Sequence, residues 1–426
     1  MSEEEDLASE EEVIRPLTLL KEKDFARLLT GQFLSVLGDK LHYVALGVLI
    51  YRLTGSALEV GKMTLATFLP YLLFGLIAGA YVDRWNKKKT MITADLLRAV
   101  FVGLIPILIG YSINLIYLLT FFSTTANLFF SPAKMAVIPA IFTKEKILTA
   151  TSLSETVENI TEIMGYALAG VFIMFIPIQK IFYFDALTFL LSAALIFSMK
   201  FSFEYQDQAK LNLEMEAKSH IFKDILEGLD YIRKTKILAH TLVTYCLALL
   251  VFSGFNPLIF VYALDTLKTS SVGLGILEAS SAVGITVGCI AISVWGNYIN
   301  KQKLILWGYF ISGLTIGILG IFPAYIFALI GFFIAGVSNA MFLIPIQSIF
   351  QEETAAPMRG RVFSARFAST RIAFMGSVAL LSYGATQIGV EKVYLLSGST
   401  LLLGTLLLFG LASADAKTAS KSSETI

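Results

Sequence analysis

Charge is what this chain has least of. Only 15% of its 426 residues are Asp, Glu, Lys or Arg, against roughly a quarter in soluble domains. The formal net charge of +1 leaves no basic face or arm of the kind that binds nucleic acid. Two cysteines, Cys246 and Cys289, both lie in apolar runs. They exclude a disulfide framework or a paired-thiol metal cluster. Three histidines, His42, His220 and His240, share no ligand or triad spacing, so neither an enzyme nor a metal site is expected. The phosphate-binding Gly-x-x-x-x-Gly-Lys-Ser/Thr loop is missing too, and with it ATP as an energy source. No cofactor is expected. Residues 1–12 hold seven acids and no apolar core, which predicts a loose acidic tail over 1–24 in place of a cleavable leader.

What is abundant is hydrophobicity, at 56% of residues with a mean hydropathy of +0.73. Twelve runs approach the roughly 20 residues that span hydrocarbon. They lie near 26–52, 58–82, 90–111, 114–141, 151–176 and 181–200, then near 239–263, 273–296, 303–322, 324–350, 362–384 and 392–413. The sequence therefore predicts an all-α membrane protein: 12 transmembrane helices in two pseudo-symmetric six-helix bundles, 25–200 and 238–413. A linker over 201–237 joins them and a tail covers 414–426. Ile221, Ile225, Leu226, Leu229 and Ile232 recur at helical spacing within that linker. They read as an amphipathic helix, either on the inner membrane surface or as an ordinary linker helix.

Between the second and third runs stands Gly79-Ala-Tyr-Val-Asp-Arg-Trp-Asn-Lys-Lys-Lys89. Four basic residues in so short a loop mark the cytoplasmic face. Counting crossings from there places about two thirds of all Lys and Arg inside, with both termini cytoplasmic in the inner membrane. Asp83 adds nothing to that signal, and is expected to face the positive N-terminus of another helix. A weak echo follows the eighth run, where Ala80-Tyr-Val-Asp-Arg84 meets Asn297-Tyr-Ile-Asn-Lys301. An internal repeat of this kind suggests a transporter with its site at the midplane between the halves.

Charges at bilayer depth are costly, and so are functional candidates. Asp39 sits about 16 Å along the first helix, with His42 and Tyr43 at i+3 and i+4 placed to donate hydrogen bonds to it. Lys40 is the alternative partner. Glu155, Glu158 and Glu162 form one stripe on the fifth helix. Carboxylates that close resist ionising together, the pattern of a proton or cation relay. Lys134, at similar depth, is an expected partner for Glu155 or Glu158. Arg371 in the eleventh helix cannot shed its charge, so it needs an acid or an anionic substrate. Glu278, the deep acid of the second half, is the expected partner.

The chain resembles the major facilitator superfamily from about Phe25 to Ala412. The likeness rests on the Gly79, Asp83, Arg84 loop and its basic cluster. It rests also on Gly31-Gln-Phe-Leu-Ser-Val-Leu-Gly-Asp39, Asp95-Leu-Leu-Arg98, Ser131-Pro-Ala133, Phe184-Asp-Ala-Leu-Thr-Phe189 and Arg359-Gly-Arg-Val-Phe-Ser364. Within the superfamily it is most similar to the drug-efflux branch of macrolide and siderophore exporters. Gly38-Asp39, Ser131-Pro-Ala-Lys134 and Glu155 also look like the lysophospholipid transporters. The fifth helix keeps Gly165 and Gly170 of the antiporter pattern, with Tyr166 at its proline position and Ala169 at a glycine.

The resemblance implies a monomeric secondary transporter that rocks about a central cavity. It would export lipophilic or amphipathic molecules in exchange for H+ or Na+. A lysophospholipid flippase is the alternative, and a non-transporting scaffold the outsider. By the same likeness Gln32, Asn127, Asn256, Asn339 and Gln347 join Tyr43, Lys134, Glu278 and Arg371 in the cavity. Asp83 is expected to meet Arg359 and Arg361 when the inner side is closed, while Arg98 and Asp185 look like scaffold.

Overall fold

The computed structural model describes residues 16–200 and 221–423, and among these no strand occurs. The first half is α1 (Lys23–Thr54), α2 (Ala57–Val82), α3 (Lys87–Leu108), α4 (Ile113–Ile141), α5 (Lys144–Phe175) and α6 (Ile178–Phe197). A short α7 (Ile221–Lys234) precedes the second half. There α8 (Lys236–Phe252), α9 (Phe255–Val261) and a π turn at Tyr262–Thr266 form one crossing. It is followed by α10 (Ser271–Trp295), α11 (Lys301–Ile321), α12 (Tyr325–Glu352), α13 (Arg359–Ile388) and α14 (Val390–Ser423). Ten of these crossings are long and apolar enough to span a bilayer on length and composition alone. With α13, whose 30 residues carry four arginines, and α14 they make the twelve helices of two pseudo-symmetric bundles.

The pairing repeats between the halves: α2 packs on α4 and α3 on α6, matched by α10 on α12 and α11 on α14. Helix starts repeat as well. Asn86 accepts from Lys89 N at 3.0 Å, and Asn300 accepts from Gln302 N at 2.9 Å, each satisfying a free amide of a first turn. The structural counterpart of Asn300 is therefore Asn86, three residues on from the Asp83 that the sequence echo aligns with it. Gly55, at φ 61°, closes α1 in the left-handed conformation, where a Cβ would be strained.

One expected helix is broken. The run near 239–263 is interrupted at Ser253 and Gly254, where Gly254 N donates to Ser377 Oγ of α13 at 2.8 Å and Gly254 lies against Leu381. The amide freed by the break is thus satisfied inside the protein, the condition for interrupting a helix at membrane depth. The linker helix, α7, packs on α13: its Gly228 lies against the Arg361 carbonyl. Arg361 Nε reaches Asp224 at 3.1 Å and its Nη1 reaches Glu227 at 2.9 Å. A protein surface receives this helix. Residues 201–220 of the expected linker lie outside the described residues.

The loop at 83–89 gathers the start of α1 and the end of α6. Arg27 donates to Ser198 O at 2.9 Å and Lys88 Nζ to Met199 O at 2.5 Å. We call this the loop-83 end. Contacts between the halves concentrate toward the opposite end. There Arg52 reaches Ser271 Oγ at 3.2 Å, Gly61 abuts Ser382, and Gly170 abuts the backbone of Ser271 and Val272. Toward the loop-83 end, α2 and α13 still meet where Phe367 faces Gly75, but a Cβ on Gly79 would meet nothing within 4 Å.

Candidate functional site

Between the halves lies a cavity of about 420 Å³, lined on α1 by Asp39, Lys40 and Tyr43, on α5 by Glu158, Glu162 and Tyr166, and by Asn127, Arg98, Tyr71 and Asn256 from other helices. Tyr43 follows Lys40 by three residues and Asp39 by four, so it shares a helix face with each. At this depth a lipid-facing acid would be prohibitive. Yet the side chains of Asp39, Glu158 and Glu162 are 39%, 37% and 35% exposed, so they face the open volume of the cavity.

Each of these acids has its own cation. Arg98 Nη2 contacts both oxygens of Asp39 at 2.6 and 2.5 Å, while its Nη1 lies 3.6 Å from Asp95. Its guanidinium stacks 3.9 Å from the Phe189 ring centroid. Asp95 and Arg98 reach the same point because positions three apart share a helix face. Both carboxylate oxygens of Asp95 are buried without a hydrogen bond, so Arg98 is its charge partner. Lys134 Nζ meets Glu158 at 2.6 Å, and Gln32 donates to the same oxygen at 2.8 Å while accepting from Ser154 Oγ at 2.8 Å. Lys40 Nζ meets Glu162 at 2.5 Å, with the Tyr166 hydroxyl 3.4 Å from both.

Several sequence expectations change here. His42 is bound to Asp185 at 2.9 Å and Tyr43 donates to Asn256 Oδ1 across the halves at 2.9 Å; neither serves Asp39. Helix rotation is the reason, since Gly38 lies directly against Asp185 and Thr188 of α6 and turns His42 toward that wall. Lys40 serves Glu162. Arg98, expected as scaffold, is the partner of Asp39 and lines the cavity. The three glutamates of α5 share a stripe without bonding one another: Glu158 and Glu162 are separately paired and Glu155 is exposed. Asn339, half-buried, and Gln347, exposed, lie on α12 and make no side-chain hydrogen bond among the described residues.

The expected pair of Arg371 with Glu278 does not form. Arg371 lies over the rings of Tyr71 and Phe367, 5.5 and 5.1 Å from their centroids. Glu278 on α10 comes instead within electrostatic reach of Lys40 and Glu162, and its Oε1 is buried without a hydrogen-bond partner. What brings α10 so close is a pair of glycines. Gly170 of α5 packs on the α10 backbone, and Gly275 of α10 packs on Tyr166 O, where an added Cβ would stand 2.7 Å away. Small residues permit this backbone approach between membrane helices.

Near Asp83, Lys87 Nζ bonds the carbonyls of Val82 and Asp83 at 2.6 Å each. At the facing helix Arg359 Nε reaches Thr354 O at 3.4 Å. Arg361 at this end is engaged by α7.

The helix pairing, the two halves and a charged cavity between them decide the fold family. The sequence profile described as Major Facilitator Superfamily matches residues 28–373, and again 241–425. The chain belongs to that superfamily. This transporter is 26% identical to macrolide efflux protein A of Streptococcus pyogenes over 389 residues, covering 89% of this chain and 93% of the relative. Solved structures agree on the fold. The nucleoside transporter NupG superposes with a TM-score of 0.72 at 12% identity, covering 91% of this chain and 99% of that one. A bacterial homologue of the iron transporter ferroportin, in an inward-facing state, gives a TM-score of 0.72 at 16% identity, covering 92% and 98%.

Proposed function

We propose that the transporter exports amphipathic small molecules by alternating access, driven by inward movement of protons. The loop-83 end then faces the cytoplasm of the inner membrane, where its four basic residues belong, and both termini share that side. The macrolide efflux protein A likeness supports the direction, and the water-facing cavity walled by aromatic rings supports the substrate class.

One observation carries the coupling. Lys40 of the first half is within electrostatic reach of two carboxylates on opposite sides of the interface, Glu162 at 2.5 Å and Glu278, whose Oε1 is buried. One ammonium neutralises only one carboxylate, and a dehydrated surplus charge is expensive. The second carboxylate therefore takes a proton whenever the halves close around it and gives it up when water returns. Binding and release on opposite faces make this a coupling step. Na+ could fill the same place, and is an outcome of the test.

The test uses proteoliposomes holding an internal pH dye. An amphipathic fluorescent dye and, separately, a lysophospholipid are added under an imposed pH gradient. Dye movement with proton flux, both lost in Glu162→Gln, is expected. Lysophospholipid movement without proton flux would replace this reading with a flippase, and movement dependent on a sodium gradient alone would replace the coupling ion.

A further inference from the structure

Once the ion pairs of the cavity are written out, two cations beside it are left without a paired carboxylate among the described residues. Asp39, Glu158 and Glu162 are answered by Arg98, Lys134 and Lys40. The cations of α13 have no such answer. Arg371 rests on Tyr71 and Phe367, and Arg366 lies 5.2 and 4.8 Å from the ring centroids of Phe350 and Phe363. No carboxylate pairs with either among the described residues. Tyr245 of α8 comes within electrostatic reach of both guanidiniums.

Ring faces offset part of the cost of a buried guanidinium through their quadrupole, but they leave its five donors largely unused. Two such groups lie about 7.5 Å apart along one helix. Arg366 is nearer the loop-83 end and Arg371 is beside Tyr71, a residue of the cavity wall. Beside them runs an apolar wall: Phe68 packs on Phe374 with centroids 4.6 Å apart and rings tilted 52°, and lies 6.1 Å from Tyr71. Planar guanidinium donors match carboxylate and phosphate oxygens in pairs.

We infer that the transported molecule is an amphipathic organic oxyanion, its carboxylate or phosphate held by Arg371 after passing Arg366, and its apolar body laid against Phe68, Tyr71 and Phe374. Glu158 and Glu162 of the α5 stripe, which alone suggests a cationic substrate, are each paired with a lysine, and the stripe stays with the coupling step. This inference rests on reading the central cavity as the transport site, and it names what that site selects. A lipophilic cation would meet in Arg366 and Arg371 two like charges shielded only by ring faces.

Equilibrium binding decides the matter without requiring transport. The full chain in phosphatidylcholine nanodiscs is dialysed against four probes with one body: 2-naphthoate, 2-naphthyl phosphate, 2-naphthylmethylammonium and 2-naphthylmethanol. Protein-free nanodiscs correct for partition into lipid. The expected result is that at least one anion binds about tenfold or more tightly than the ammonium and the alcohol, a factor well resolved in Kd. Arg371→Gln should remove most of that preference, Arg366→Gln a smaller part, and Arg371→Lys should keep more of it than Arg371→Gln, with the alcohol unchanged within about twofold. Preference for naphthoate would mark an organic carboxylate as the natural head, and preference for the phosphate a phosphate ester. Tightest binding by the ammonium overturns the proposal, as does anion affinity that Arg371→Gln leaves unaltered. The wild-type ranking is decisive even if a variant misfolds. Proton-coupled dye export by a protein with no anion preference would leave the exporter reading standing and remove only this one.

Discussion

Arg98 of α3 holds both oxygens of Asp39 at 2.6 and 2.5 Å and at the same time lies 3.6 Å from the buried Asp95. One guanidinium thus serves two carboxylates of very different exposure: the Asp39 side chain is 39% exposed and that of Asp95 fully buried. The asymmetry sets what each partner is worth.

Removing Arg98 strands the Asp95 carboxylate without hydrogen bond or counter-charge, whereas removing the Asp39 charge leaves Arg98 still beside Asp95. Arg98→Gln should therefore destabilise the folded protein by about 3 kcal/mol or more, in the range for orphaning a buried charge. Asp39→Asn, at a solvent-screened site, should cost about 1 kcal/mol or less. Thermal unfolding in detergent compares them, and equal losses would contradict the assignment of Asp95 to Arg98.

Glu278 supplies the second prediction. Its buried oxygen has no hydrogen bond, so replacement by the neutral amide should leave folding nearly intact. Coupling should suffer: Glu278→Gln is expected to keep substrate binding but to make transport insensitive to an imposed pH gradient. Parallel flux assays at a fixed and a stepped pH read this directly. A variant that follows the gradient as wild type does would move the coupling role elsewhere.

The glycine contact between α5 and α10 leads to a conformational prediction. At Gly170 the obstacles to a Cβ are backbone atoms of Ser271 and Val272, which cannot swing away as a side chain would. Gly170→Ala should push the halves apart at the end opposite loop 83 and populate the conformer open there. Spin labels at Leu53, in the last turn of α1, and at Lys268, just after the π turn, should report a longer distance than in wild type. Gly79→Ala, with open space around it, should change nothing.

The architecture was legible because it is written in long-range pattern. Twelve apolar runs and a basic loop require no knowledge of packing. The intramembrane charges were legible too, since each violates the cost of burying charge. Of their pairings, Lys134 with Glu158 was legible from shared depth, and the others were not. Asp39 and Arg98 are 59 positions apart, and which cation meets which acid depends on helix rotation, here set by Gly38 against α6 and by the Gly170–Gly275 approach. Arg98 itself carried a usable signal: an acid and a base three apart inside an apolar helix satisfy the same rule that singled out Asp39. The break at Gly254 gave little, because a lone glycine in an apolar run is common in membrane helices.

The linker helix offers the last prediction. Arg361 at the start of α13 is held by Asp224 and Glu227 of α7 in the described conformer. If the same region of α13 meets Asp83 when the loop-83 end closes, the α7 acids and Asp83 compete for it. The two sets of neutralising changes then push in opposite directions. Asp224→Asn with Glu227→Gln should free Arg361 and favour closure at the loop-83 end, while Asp83→Asn should favour the open conformer. Single cysteines near the two ends, labelled in membranes, measure the balance. Each exposed pair is worth about 1 kcal/mol or less, so a shift of a few-fold in labelling ratio is expected. Shifts of the same sign in both variants would show that α7 braces α13 without competing for its arginine.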